Sequence, residues 1–221
     1  MFKSWRIGTL LGFPIEVSAS FLLLLALVFV AFGGVAGVFV VAIAFASILL
    51  HELGHAVVAR HHGVHVAGIE LGFFGGAAKM VQLPRVPNTE LAIAIAGPIV
   101  SLVLGGIGLG LGLAAHVPLI AMIGWINLVI AAFNLIPALP MDGGRVLRAL
   151  LAKRYRFEVA TDHAVTVSHV VAVAFGVIGL FGAYQLLFLA PYLWFMASRE
   201  RVLAQPTQPG GRRYVIIEVR D

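Results

Sequence analysis

The chain contains no cysteine. Disulfides and thiolate metal sites are therefore excluded, and any metal must be held by nitrogen and oxygen ligands. Charge is also scarce: 11% of the 221 residues are charged and 61% are hydrophobic. A chain of this size cannot hide that much apolar surface inside one soluble core, so it belongs in a bilayer. The net charge of +5 would point to nucleic acid in a soluble protein. Here the basic residues flank apolar runs, where they orient the chain and meet anionic lipid, and a nucleic-acid partner is not expected. The first apolar run, from about Val17, follows Lys3, Arg6 and Glu16 and lacks a small-residue cleavage site. It reads as a retained helix and not as a signal peptide.

Apolar length and the breaks between runs predict an all-α polytopic membrane protein with about six spans. They are placed at about Val17 to Phe32, Gly37 to Arg60, Leu91 to Ala115, Pro118 to Ile136, Ala164 to Leu180 and Gly182 to Ala197. Basic residues test the placement, because they collect in cytoplasmic loops. All 15 Lys and Arg residues fall before the first span or after the second, fourth and sixth. The three opposite connections hold none, so a multi-pass protein of the cell membrane with both termini cytoplasmic is expected.

Between the second and third spans, Ile69-Glu-Leu-Gly-Phe-Phe-Gly-Gly76 is too apolar for an ordinary loop and too glycine-rich for a span. A small extended or β segment, either re-entrant or a hairpin lying on the membrane surface, is expected there. Residues 1–204 read as the membrane domain. Residues 205–221 read as a cytoplasmic linker and tail containing one lone strand, Tyr214 to Val219, the stub of a missing regulatory domain or a strand that pairs with another chain.

His51-Glu52-Leu53-Gly54-His55 closes the apolar run of the second span. Residues four apart share a helix face, so both imidazoles can reach one metal while Glu52 sits near the water that completes its shell. Ionisable groups inside a span cost about 2.5–3.5 kcal/mol each at its centre and less near its end. An unpartnered cluster is therefore disfavoured even before chemistry is considered.

A catalytic zinc takes three protein ligands and keeps one position open. The fourth span delivers Asp142 to the same side as the histidines, in the sequence Pro140-Met-Asp-Gly-Gly144. The prolines at 137 and 140 break the helix, and the two glycines permit turn angles. By residue pattern alone Asp142 either caps the next helix or ligates a metal, and the two roles are compatible. Asn134 by itself reads as an interhelical hydrogen-bonding residue, as does Asn127; Gly97 and Ser101 read as a helix-packing pair. His61, His62 and His65 follow the helix end in a basic loop and read as solvated.

These residues resemble the site-2 proteases, a family of intramembrane zinc metalloproteases. Three motifs carry the likeness: His51-Glu-Leu-Gly-His55, Ala96-Gly-Pro-Ile-Val-Ser101, and Asn134-Leu-Ile-Pro-Ala-Leu-Pro-Met-Asp142-Gly-Gly144. Met141 stands where Leu is common. The architecture is most similar to the six-span archaeal and bacterial branch that often carries cytoplasmic CBS domains, which are not expected here. The resemblance implies one catalytic Zn2+ held by His51, His55 and Asp142, with Glu52 as general base and Asn134 near the substrate carbonyl or oxyanion.

The substrate would be a transmembrane protein in a lipid bilayer, cut within or near its membrane segment. A strand edge formed by Ile69, Leu71, Phe73, Phe74, Gly75 and Gly76 would bind it in extended form. The competing reading is a zinc transporter or metal-sensing membrane protein. Glu52 separates the two, since only hydrolysis needs a base.

Overall fold

The computed structural model describes residues 4–31, 34–72, 75–80 and 85–205. Phe73 and Phe74 and the predicted tail strand from Tyr214 to Val219 lie outside them. The chain is mostly helical, with a four-stranded sheet beside the helices.

Two strands come first: β1 (Ser4–Leu10) and β2 (Phe13–Ser18). The turn between them places both Leu11 and Gly12 at positive φ, as a two-residue hairpin requires, and Arg60 Nη1 donates to the Leu11 carbonyl at 2.8 Å. Phe13, Ile15 and Val17 alternate inward along β2 and are buried. This corrects the expectation of a helix from Val17. A short apolar run does not distinguish a buried strand from a helix, and here pairing with neighbours on both sides decides it.

The helices follow as α1 (Ala19–Ala31) and α2 (Val35–His61). Strands β3 (Val66–Gly72) and β4 (Gly75–Met80) come next, then α3 (Pro87–Ala114), α4 (Pro118–Asn134), α5 (Asp142–Leu151), α6 (Phe157–Leu180) and α7 (Gln185–Ala204). The expected extended segment is therefore a hairpin, and its β3 runs parallel to β2 after the α1–α2 crossover. The sheet order is β1-β2-β3-β4. One core cluster joins Phe13, Ile15, Val66 and Ile69 of the sheet to Leu53, Ala56 and Ala59 of α2 and to Ile93 of α3. The sheet thus packs against the end of α2 that carries the histidines.

Three helices, α2, α3 and α6, are long and apolar enough to cross a membrane, and α1 and α4 are shorter apolar helices. Large apolar side chains such as Val30, Phe39, Ile107, Leu113, Val170 and Phe188 are exposed along the bundle, a surface suited to lipid rather than water. Helix α6 begins well before the expected Ala164, and α7 ends beyond the expected Ala197.

Candidate active site

Helix α2 turns a stripe inward at every fourth residue: Ser47, His51, His55 and Ala59 are all buried. His51 is 2% exposed and His55 4%. Opposite them stands Asp142, the first residue of α5, at 6%. No side-chain capping bond forms at the start of α5. The Asp142 carboxylate is instead turned to the histidines, with Oδ2 3.0 Å from His51 Nε2 and 3.2 Å from His55 Nε2. The two Nε2 atoms are 3.1 Å apart. A carboxylate oxygen of Glu52 and one ring nitrogen of each histidine also lie within 4.8 Å of one another.

The second nitrogen of each ring is also engaged. His55 Nδ1 meets the Ile93 carbonyl at 2.6 Å. A carbonyl can only accept, so Nδ1 carries the proton and a neutral His55 presents a lone pair at Nε2. That lone pair faces a carboxylate oxygen and another ring nitrogen, an arrangement satisfied by a cation at its centre. His51 Nδ1 is 2.9 Å from Ser101 Oγ.

The donor set and spacing fit zinc. Bonds of about 2.0–2.1 Å in a tetrahedron give edges of about 3.3 Å between ligand atoms, close to the observed triangle of 3.0, 3.1 and 3.2 Å.

Helix α3 shapes this arrangement through Gly97 and Ser101, whose role goes beyond the helix packing that their spacing predicts. A Cβ added at Gly97 would lie 2.6 Å from His51 Nε2 and overlap His55, so only glycine lets the helix approach the rings. Ser101 is fully buried and orients His51. Their sequence signal was the Gly-xxx-Ser spacing, but the partner lies about fifty residues away, on α2.

The glycines after Asp142 also differ in their role. Both have ordinary backbone angles. A Cβ at Gly143 would strike the Leu135 and Ile136 carbonyls, and one at Gly144 the backbone of Ala138 and Leu139. They permit close approach and not a special turn. Ser168 of α6 accepts a 2.8 Å hydrogen bond from the Leu139 amide and so steadies the loop before Asp142.

Asn134 is placed at the end of α4, where its Nδ2 donates to the Ile130 carbonyl at 3.0 Å. Asn127 joins α4 to α2 through Ser47 Oγ at 3.0 Å. His61 and His62 are exposed and pack edge to face. Ile69 and Leu71 are buried in the core, and β3 is paired on both sides. The free edge of the sheet hairpin is therefore β4, which contains Gly75 and Gly76. The Ala78 amide on that edge donates to Glu52 Oε2 at 3.0 Å, and a Cβ at Gly76 would lie 2.8 Å from Glu52 Cγ.

The model of peptidase family M50 matches residues 38–117 and 113–178. The chain belongs to peptidase family M50, the site-2 protease family. It is 34% identical over 206 residues to a zinc metalloprotease of Methanocaldococcus jannaschii, covering 89% of this chain and 60% of that protein. It is 32% identical over 116 residues to stage IV sporulation protein FB of Bacillus subtilis, covering 51% and 40% respectively. The chain thus spans about half the length of these curated relatives. Among solved structures, the site-2 protease from Methanocaldococcus jannaschii superposes with a TM-score of 0.70 at 32% identity, covering 93% of this chain and 97% of that one.

Proposed function

We propose that this chain is an intramembrane zinc metalloprotease that hydrolyses peptide bonds within or near transmembrane segments of other proteins. The observation that carries this reading is the convergence of His51, His55 and Asp142 beside Glu52, at the end of an apolar helix. His51, His55 and Asp142 would hold one zinc ion, which supplies Lewis-acid polarisation and acidifies water at neutral pH.

The chain's own groups do the rest. Glu52 takes the proton of the attacking water and returns it to the leaving amine. Ser101 and the Ile93 carbonyl hold the imidazoles in register. Asn134 would turn its amide from Ile130 toward the oxyanion once substrate is present.

Six spans, α1 to α4, α6 and α7, with both termini in the cytoplasm, follow from the charge asymmetry. His55 then lies about 9 Å from the cytoplasmic end of α2, six residues at 1.5 Å each. Cleavage would then occur inside the membrane near that face.

A helical substrate hides its carbonyls and must unwind before hydrolysis. Residues in non-hydrogen-bonded pairs of an antiparallel ladder point their amides and carbonyls away from the partner strand. The Ala78 amide points to Glu52 and not to β3, and Gly76 shares its parity. An extended substrate pairing at Gly76, and at Ala78 once Glu52 releases its amide, would lie directly along the general base.

The test is cleavage of a transmembrane peptide by purified protein in detergent, with and without chelator. Cleavage should vanish on chelation and return with zinc. Hydrolysis indifferent to chelator would overturn the proposal.

A further inference from the structure

The most deeply buried charge among the described residues is distant in sequence from the histidines. Arg148 of α5 is 1% exposed. Its Nη2 lies 2.6 Å from Glu90 Oε1 on α3, its Nε donates to the same oxygen at 2.8 Å, and its Nη1 donates to Glu200 Oε2 on α7 at 2.8 Å. The Phe157 ring, at the start of α6, lies 5.1 Å from the guanidinium. One side chain therefore ties α5 to three other helices. Burying such ions is expensive unless geometry and pairing are good, and removing one partner leaves a costly orphan. Glu90 Oε2 already lacks a partner, so stability alone is a weak reason for this arrangement.

The position of Glu90 gives another reason. Glu90, Ile93, Gly97 and Ser101 follow at intervals of three, four and four residues, which places them on one face of α3. Ile93 and Ser101 orient the two histidines, and Gly97 lies against both rings. Glu90, at the near end of that face, holds the helix that begins with Asp142. Helix α5 has only ten residues, and Asp142 and Arg148 are less than two turns apart. The close approach at Gly143 and Gly144 fixes one end of α5 and Arg148 fixes the other.

We propose that Arg148 is a positioning residue: clamped by Glu90 and Glu200, it sets the register of α5 so that Asp142 meets the histidine pair aligned by the same face of α3. Because Glu200 belongs to α7, this guanidinium is the polar link between that helix and α5, beside the apolar packing of Leu193 and Ala197 against Ala138, Leu139 and Met141. The inference rests on the metal site proposed above.

The experiment measures zinc affinity by chelator competition and the visible spectrum of the Co2+-loaded protein, alongside thermal unfolding, in purified full-length chain. Arg148→Met combined with Glu90→Gln removes both charges without leaving an unpaired carboxylate at Glu90. It should weaken zinc binding about 10- to 100-fold, the usual cost of losing a group that orients a ligand, and alter the Co2+ bands. Arg148→Lys should restore much of the affinity. Glu200→Gln, which leaves the Glu90 pair intact, should weaken zinc binding by a smaller factor and serves if the double variant does not fold. Lowered thermal stability with wild-type zinc affinity and an unchanged Co2+ spectrum in the folded variants would overturn the proposal. Failure of the wild-type protein to bind zinc at all would instead overturn the underlying metal site.

Discussion

The two halves of α3 use the same kind of residue for opposite ends. In the first half, Gly97 opens space for imidazoles, and Glu90, the Ile93 carbonyl and Ser101 each bind a polar group on another helix. In the second half, glycines bring α3 against α4. A Cβ at Gly105 would lie 2.6 Å from Leu128 Cδ2, one at Gly108 3.0 Å from the Gly124 Cα, and one at Gly112 2.8 Å from the Ala121 Cβ. No polar side chain takes part there. In a bilayer, helices gain little from hiding apolar surface, so close backbone approach and interhelical hydrogen bonds do the holding. The second half uses the first device alone; the first half uses both, and the hydrogen bonds of Glu90, Ile93 and Ser101 to other helices end on the proposed metal ligands or on the helix that brings Asp142 to them.

The comparison can be broken by substitutions at matched positions. The largest effect is expected from Gly97→Ala, whose methyl would displace both histidines: proteolysis should fall at least about 100-fold with loss of bound zinc, read by activity and metal analysis. Ser101→Ala removes one orienting bond and should weaken zinc affinity about 10-fold, the lower end for such a group. On the other half, Gly112→Ala should destabilise the fold by about 1–3 kcal/mol through overpacking, measured by unfolding in detergent, and leave zinc affinity unchanged. A Gly112 variant that loses zinc selectively would erase the distinction between the halves.

The smallest effect concerns the sheet that backs the first half. Lys79 bridges Glu16 and Glu70, each at 2.8 Å. Burial acts to lower its pKa, but the two carboxylates outweigh burial and hold it above the ordinary lysine value. A raised folded pKa means stability fully present below the unfolded value and lost as pH rises through the folded one. The loss should therefore appear only above about pH 10.5, the ordinary lysine value. It should amount to no more than about 1 kcal/mol, because these groups are partly solvated. Lys79→Met should abolish that alkaline loss.

Legibility in the sequence followed the distance between partners. His51, Glu52 and His55 could be read directly because four residues make one helix face. Asp142 was ambiguous until its whole motif was matched to the family, since a residue that starts a helix is as good a cap as a ligand. Gly97 and Ser101 had a visible pattern but no visible partner, and Arg148 counted only among the basic residues that follow the fourth span. In the fold, the apolar helices were evident from run length. The hairpin of β1 and β2 was missed because the inward residues of β2 merge with the apolar run of α1. The location of the sheet edge at β4 was equally hidden, because which strand remains unpaired depends on β2 folding back beside β3.

The most direct test is Glu52→Gln, assayed together for zinc content and cleavage of a transmembrane peptide. Glu52 lies beside the three proposed ligands without belonging to them, so the variant should keep one zinc per chain and lose hydrolysis. A variant that retains zinc and still cleaves would contradict the assignment of Glu52 as the base, and with it the account of the site.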